Sequence, residues 1–136
     1  MKIEPYLFFE GCCEEALEFY RKALGAEITM IMPYKDSPQK GRIPPGAEDK
    51  VMHANLRIGD AAIMASDGLN SGKPSFEGFS LVLSPAGEHE AKRMFEALAE
   101  GGEVQMPLAK TFYSPLFGMV TDRFGMHWMI MVPAQS

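Results

Sequence analysis

The chain has 136 residues, 46% hydrophobic and 23% charged, with a net charge of −5, the profile of an ordinary globular protein with room for one well-buried domain or two small modules. The acidic balance excludes a general nucleic-acid binder, which needs a basic face against phosphates. No apolar run approaches the roughly 20 residues that span a bilayer, and "MKIEPYLFFEG" at the start lacks the apolar core and small-residue cleavage site of a secretory signal. A cytoplasmic protein with no membrane or nucleic-acid partner is therefore expected.

In chain order, Ile3–Phe9 is aromatic-rich and reads as a strand, broken by Gly11. Cys13, Ala16, Leu17, Tyr20, Ala23 and Leu24 then recur at helical spacing, with Glu14, Glu15, Glu18, Arg21 and Lys22 opposite. This predicts an amphipathic helix over 13–24, with Glu18 and Lys22 as a favourable i,i+4 pair and Gly25 as a natural stop. Cys12 and Cys13 are the only cysteines. As neighbours their Cα atoms stand about 3.8 Å apart, too close for an unstrained disulfide, so they read as one packing residue and one incidental thiol. Ala26–Tyr34 follows as a strand. "DSPQKGRIPPGAED", residues 36–49, is a loop rich in proline and glycine. Val51–Ile58 and Ala61–Ser66 predict a hairpin around Gly59-Asp60.

The plan then recurs. "FSLVLS" is a strand, and residues 88–100 form a helix with Ala91, Met94, Phe95 and Leu98 on one face, ended by Gly101-Gly102. Superposing the halves puts Gly11 on Gly87, Phe19 on Phe95, and Gly25-Ala26-Glu27-Ile28 on Gly101-Gly102-Glu103-Val104. Arg57-Ile58-Gly59 matches Arg123-Phe124-Gly125 as an equivalent turn before the last strand of each half. The sequence thus predicts an α+β fold of tandem βαβββ modules within a single domain, module one 1–66, a linker 67–76 and module two 77–133. The 36–49 loop is the one large departure from the repeat. Long loops inside compact domains are often lids, so it is expected to lean over a pocket near His53, with Lys40 and Arg42 available to an anionic group.

Two βαβββ modules, with "ALEFYRKALGAE" after the first strand and "DRFGMHWMIM" at the end, resemble the vicinal oxygen chelate superfamily of glyoxalase I, bleomycin-resistance proteins and extradiol dioxygenases. "PYLFFEG", "KVMHANLRIGDAAIMASD" and "MPLAKTFYSPLFGMVTDRFGMHWMI" are similar to its PhnB-like branch. The resemblance covers nearly the whole chain. It implies that curled mixed sheets surround a cleft, with helices on the convex side, and that chains pair as homodimers. Metal-dependent members carry a His on the first strand and a Glu near the last strand of each module. The matching positions here are Pro5, Phe79 or Leu81, Ile63 or Met64, and Met129, none of them a good ligand for such cations. No metal and no other cofactor are therefore expected. PhnB-like proteins are sometimes labelled demethylubiquinone methyltransferases, but no glycine-rich turn opens a helix in a Rossmann-type unit here.

Strand alternation puts Met52, Ala54, Leu56 and Ile58 on one face, and His53, Asn55 and Arg57 on the other, toward the cleft or a dimer seam. His53 is the candidate acid/base, because imidazole titrates near neutrality. Asn55, Arg57, Tyr113, His127 and Met129 are candidate ligand-binding residues: His127 and Met129 share a strand face, and Tyr113 beside Phe112 offers an aromatic surface. Met64, Met119, Met129 and Met131 supply soft walls suited to varied apolar ligands. No nucleophile elbow, phosphate loop or carboxylate pair appears. The first reading is metal-independent small-molecule binding in the sheet cleft. The alternatives are an enzyme of lyase, isomerase or dioxygenase type using His53, or a metal-dependent protein with displaced ligands.

Overall fold

Each predicted element survives in the computed structural model, which describes residues 1–38 and 43–134. The order is β1 (Tyr6–Phe8), α1 (Cys13–Leu24), β2 (Glu27–Pro33), a 3-10 turn (Tyr34–Asp36), β3 (Val51–Ile58) and β4 (Ala61–Ser66), then β5 (Leu81–Leu83), α2 (Glu88–Ala99), β6 (Glu103–Ala109), β7 (Phe117–Thr121) and β8 (His127–Met131). The fold is α+β, with two mixed four-stranded sheets. The chain divides into two compact units, Met1–Ser75 and Phe76–Ser136.

In the first unit the sheet order is β1-β4-β3-β2. β1 runs parallel to β4, with Tyr6 opposite Met64 and Phe8 opposite Ser66. β3 is antiparallel to both neighbours, β4 and β2. The apolar stripe of α1 is buried in full, and with Leu7, Phe9, Ala54, Leu56, Ile63 and Ala65 it makes the core. Each fully buried Leu or Phe there contributes about 1.5–3 kcal/mol. Gly25 ends α1 at φ +68°, its N–H returning to the carbonyl of Arg21, the left-handed stop that glycine adopts without a Cβ clash.

The start of α1 is held from a distance. Cys12 provides no side-chain cap. Instead the buried carboxylate of Asp67 accepts from the N–H groups of Gly11 and Cys13 at 2.8 Å through Oδ1, and from Val51 at 2.8 Å through Oδ2. The chain beyond it folds back on the same corner: Gly72 N–H donates to Glu10 O at 2.7 Å, and Ser71 N–H to Glu10 Oε1 at 3.2 Å. Residues 67–72, read from sequence as joining segment, thus tie down the helix of the first unit.

The loop after β2 is zipped at its base. Tyr34 N–H donates to Lys50 O and Lys35 N–H to Glu48 O, at 2.9 and 3.0 Å. Lys35 Nζ pairs with Asp49 at 2.9 Å, which raises the lysine pKa, and Ala47 is fully buried. Lys40 and Arg42, the cations expected to serve a lid, lie outside the described residues.

The second unit repeats the plan, with sheet order β5-β8-β7-β6 and β5 parallel to β8. α2 buries Ala91, Met94, Phe95 and Leu98 in a core with Val120, Trp128 and Ile130. Buried Asp122 organises the β7–β8 turn: Oδ1 accepts from the N–H groups of Phe124 and Met126 at 2.8 and 3.1 Å, and Oδ2 from the indole N–H of Trp128 at 2.8 Å.

Two sequence expectations change. The first strands are short because ladder partners exist only where β4 and β8 run alongside; Ile3, counted as strand, is 87% exposed. The Arg-Ile-Gly and Arg-Phe-Gly triplets are not equivalent in register. Arg57 lies inside β3, paired with Ala62 and Glu27, whereas Arg123-Phe124-Gly125 forms the turn itself, between Asp122 and Met126. The β7–β8 connection is longer than Gly59-Asp60, and Asp122 supplies the acceptors that the longer turn requires.

Candidate functional site

Alternation along each sheet leaves one face on the helix and one face open. In the first unit the open face carries Tyr6 and Phe8 from β1, Met64 from β4, and His53, Asn55 and Arg57 from β3, as their pairing and partial exposure show. The expected parity of His53, Asn55 and Arg57 is the one observed. Together with Thr29, Ala62, Met64, Lys2 and Glu4 these residues line an open hollow of about 480 Å³.

His53 is tightly specified there. Asn55 Oδ1, an acceptor only, stands 2.9 Å from Nε2, so Nε2 donates to it. The hydroxyl of Tyr6 then donates to Nδ1 at 2.8 Å. In the neutral imidazole this fixes the tautomer, with both nitrogens engaged. Tyr6 also stacks on Phe8, ring centroids 4.9 Å apart. Burial raises the Tyr6 pKa, keeping the phenol a donor. Sequence reasoning did not single out Tyr6; the alternation of β1, with Leu7 buried between Tyr6 and Phe8, was the signal available. Arg57 reaches across the strand pair to Glu27, an exposed ion pair that fixes the rim more than it stabilises the fold.

The remaining candidates belong to the second unit. His127, Met129 and Met131 share the open face of β8, opposite buried Trp128 and Ile130, and Val82 of β5 pairs with Met129. His127 Nδ1 lies 2.8 Å from the hydroxyl of Thr121, which donates onward to Gln105 Oε1 at 2.7 Å. Its Nε2 stands 4.0 Å from a carboxylate oxygen of Glu77. Thr121, Gln105 and Glu77 were not anticipated, since they converge from three separate segments. Tyr113 lies elsewhere, packed edge-on against Phe112 and Phe117. It borders a hollow of about 410 Å³ between the 110–115 loop, the start of α2 and residues 132–134. The structure therefore gathers His53, Asn55 and Arg57 in one hollow, His127 and Met129 on another face, and Tyr113 at a third place.

Asp67, Asp122 and Cys13 are structural. Asp67 and Asp122 are saturated by main-chain and indole donors. Burial, then the nearby Asp67 carboxylate, pushes the Cys13 thiol far above its ordinary range, so it is inert as a nucleophile. Among the described residues no three His, Cys, Asp or Glu side chains come together to hold a metal ion. The expected first-strand positions shift: Pro5 precedes β1, Phe79 precedes β5 and Leu81 pairs with buried Trp128, so the open-face residues there are Tyr6, Phe8 and Val82. With Met64 and Met129 on the last strands they make a donor set that does not fit the divalent cation of metal-dependent relatives. Among the described residues no helix is long and apolar enough to cross a membrane.

Comparison with known proteins places this geometry in context. Residues 1–131 match the family model described as 3-demethylubiquinone-9 3-methyltransferase. The chain is 39% identical to the Escherichia coli protein YjdN, over 100% of this chain and 98% of that protein. Among solved structures it is similar to PA1353 from Pseudomonas aeruginosa, at 43% identity and TM-score 0.87, covering 99% of both chains. A PhnB protein from Bacillus cereus shows 30% identity and TM-score 0.81 over 97% of this chain and 99% of that one. A glyoxalase-related enzyme from Fulvimarina pelagi shares the fold, with TM-score 0.64 at 18% identity over 97% and 88% of the two chains.

Proposed function

From a chain that belongs to the family described as 3-demethylubiquinone-9 3-methyltransferase, PhnB-like proteins of the vicinal oxygen chelate superfamily, we propose a protein that binds a small, partly apolar molecule on the open sheet face of its first unit. The observation behind this reading is the locked imidazole of His53 at the edge of a hollow of about 480 Å³. A site with a few fixed polar groups among soft apolar walls is built to orient a ligand. Met64 and Ala62 supply the apolar part, with the Tyr6–Phe8 stack beside them on the same sheet face; Asn55, Thr29 and Arg57 supply polar contacts.

S-adenosylmethionine, which the family description implies, does not fit these residues. Only the outer strand pair of each sheet is parallel, and the first turn of α1 already has Asp67 as its acceptor. No methyl-transfer step follows from this arrangement. A second reading, with His53 as the acid/base of a lyase, isomerase or dioxygenase-type reaction, is favoured by its place on an open face. That reading requires the substrate to displace Tyr6 or Asn55 from the ring.

The test is a thermal-shift screen of planar aromatic drugs and small metabolites, since a ligand at 100 times its Kd stabilises the native state by about 2.7 kcal/mol. A hit should lose its shift in Asn55→Ala and His53→Ala, and keep it in Tyr113→Ala. Hits unaffected by the first two substitutions would place binding elsewhere and end this reading. Substrate turnover lost in His53→Gln with binding intact would favour the catalytic reading. A homodimer is part of the proposal. The edge strands β2 and β6 expose Met30, Ile31, Val104 and Met106, and open edges are covered in stable proteins. Sedimentation at tens of micromolar should show two chains per particle, and a monomer would refute it.

A further inference from the structure

The second unit contains a hydrogen-bonded relay that neither the family description nor the ligand reading of the first unit uses. Gln105 Oε1 is an acceptor only, so the hydroxyl of Thr121 spends its one proton there, at 2.7 Å. Thr121 Oγ1 can then only accept from His127 Nδ1, at 2.8 Å. The chain of donors runs one way, and it fixes the proton of a neutral His127 on Nδ1. Nε2 is left with its lone pair and no hydrogen-bond partner among the described residues. A carboxylate oxygen of Glu77 stands 4.0 Å away, beyond hydrogen-bond range. His53 is the opposite case, with both nitrogens occupied.

We propose that His127 is a proton-accepting catalytic residue, with Thr121 and Gln105 as its positioning residues, acting on a mostly apolar small molecule that presents one acidic hydroxyl, as a phenol does. The apolar part of such a molecule meets Val82, Met119, Met129 and Met131, which share the open face with His127. The hydroxyl proton passes to Nε2 and the O–H electron pair stays on the ligand oxygen. Nδ1 keeps its proton toward Thr121. The imidazolium so formed faces the Glu77 carboxylate, and the ligand is held as its oxyanion. A general base needs a defined lone pair aimed at its substrate and a partner that holds the other nitrogen, and this relay provides both without a buried carboxylate. The inference concerns the second unit alone, so it stands or falls separately from the ligand site around His53.

Three measurements on the whole chain test it. Long-range proton–nitrogen NMR of the imidazoles, recorded where they are neutral, should show His127 protonated on Nδ1 in the native protein. In Thr121→Val it should shift to the Nε2–H form. Diethyl pyrocarbonate, mapped by mass spectrometry, should modify His127 faster than His53 by about tenfold, because a ring nitrogen held in a hydrogen bond must first release it. Added 4-nitrophenol should ionise on the protein below its solution pKa, seen as growth of the phenolate band, and this growth should vanish in His127→Gln and shrink in Thr121→Val. A native His127 carrying its proton on Nε2 would overturn the proposal. So would equal modification of the two histidines, or a phenolate band unchanged in a folded H127Q.

Discussion

Replacing Asp67 by alanine removes the acceptor of three main-chain donors, the buried N–H groups of Cys13 and Val51 and the part-buried N–H of Gly11, each at 2.8 Å. An orphaned buried donor costs about 1–3 kcal/mol, so three set a ceiling near 9 kcal/mol if none finds a substitute. Water relieves part of this, because the small hollow of about 240 Å³ formed by Gly11, Cys12, Glu14, Lys50 and Asp67 adjoins the site. The expected loss is about 3–5 kcal/mol, comparable to breaking a buried charged contact and a large share of the 5–15 kcal/mol that holds a domain. Asp67→Asn keeps one carbonyl oxygen for Gly11 and Cys13 and turns an amide N–H toward Val51, so its loss should be about 1.5–3 kcal/mol. Urea unfolding, with midpoints compared at unchanged slope, gives both numbers. A loss below about 1 kcal/mol in the alanine variant, or equal losses in the two variants, would refute the claim that this carboxylate closes the corner.

Asp122→Ala should destabilise the chain by a similar mechanism, about 2–4 kcal/mol, and alter the native fluorescence of Trp128, the only tryptophan, whose indole N–H it holds; an unchanged native spectrum would contradict this. The Cys13 thiol is raised by burial and by Asp67, so above about pH 9, the ordinary thiol value, the unfolded chain releases a proton that the folded chain keeps. Stability is whole below that pH and falls above it, by up to about 1.4 kcal/mol per pH unit; Cys13→Ala should remove this part of the alkaline loss, and identical alkaline slopes would count against it. Elemental analysis after gentle purification should find well under one equivalent of Zn, Ni, Fe or Mn per chain, because Tyr6, Val82, Met64 and Met129 stand where donors would be needed. About one equivalent would overturn that assignment.

Local periodicity made much of this fold legible. The 13–24 helix and the 51–58 and 61–66 strands fall where spacing put them, since apolar residues at helical or alternating intervals have one face to bury. The parity of His53, Asn55 and Arg57 came from the same rule. Contacts made across long stretches of sequence were not legible. Asp67 sits among turn residues, and nothing local shows that Gly11, Cys13 and Val51 need its oxygens. The matching triplets at Arg57 and Arg123 were alike in letters but differ in register, which hydrogen-bond pairing decides and composition does not. The relay at His127 needs Gln105 on β6, Thr121 on β7 and the imidazole on β8 to meet, a condition set by strand pairing.

The position of Asp67 also orders events in time. While the chain is being synthesised, Cys13–Leu24 is available early and can coil into a transient helix within microseconds. Its first turn stays frayed, because the oxygens that close it arrive only with residue 67, and the partners of the Glu10 side chain and carbonyl only with residues 71 and 72. β1 likewise waits for Met64–Ser66 to lie beside it. The first unit therefore cannot mature piecemeal from its N-terminal end. It can close only once residues 64–72 have cleared the ribosome tunnel, and until then Leu7 and Phe9, both buried in the finished protein, lack the partners that cover them.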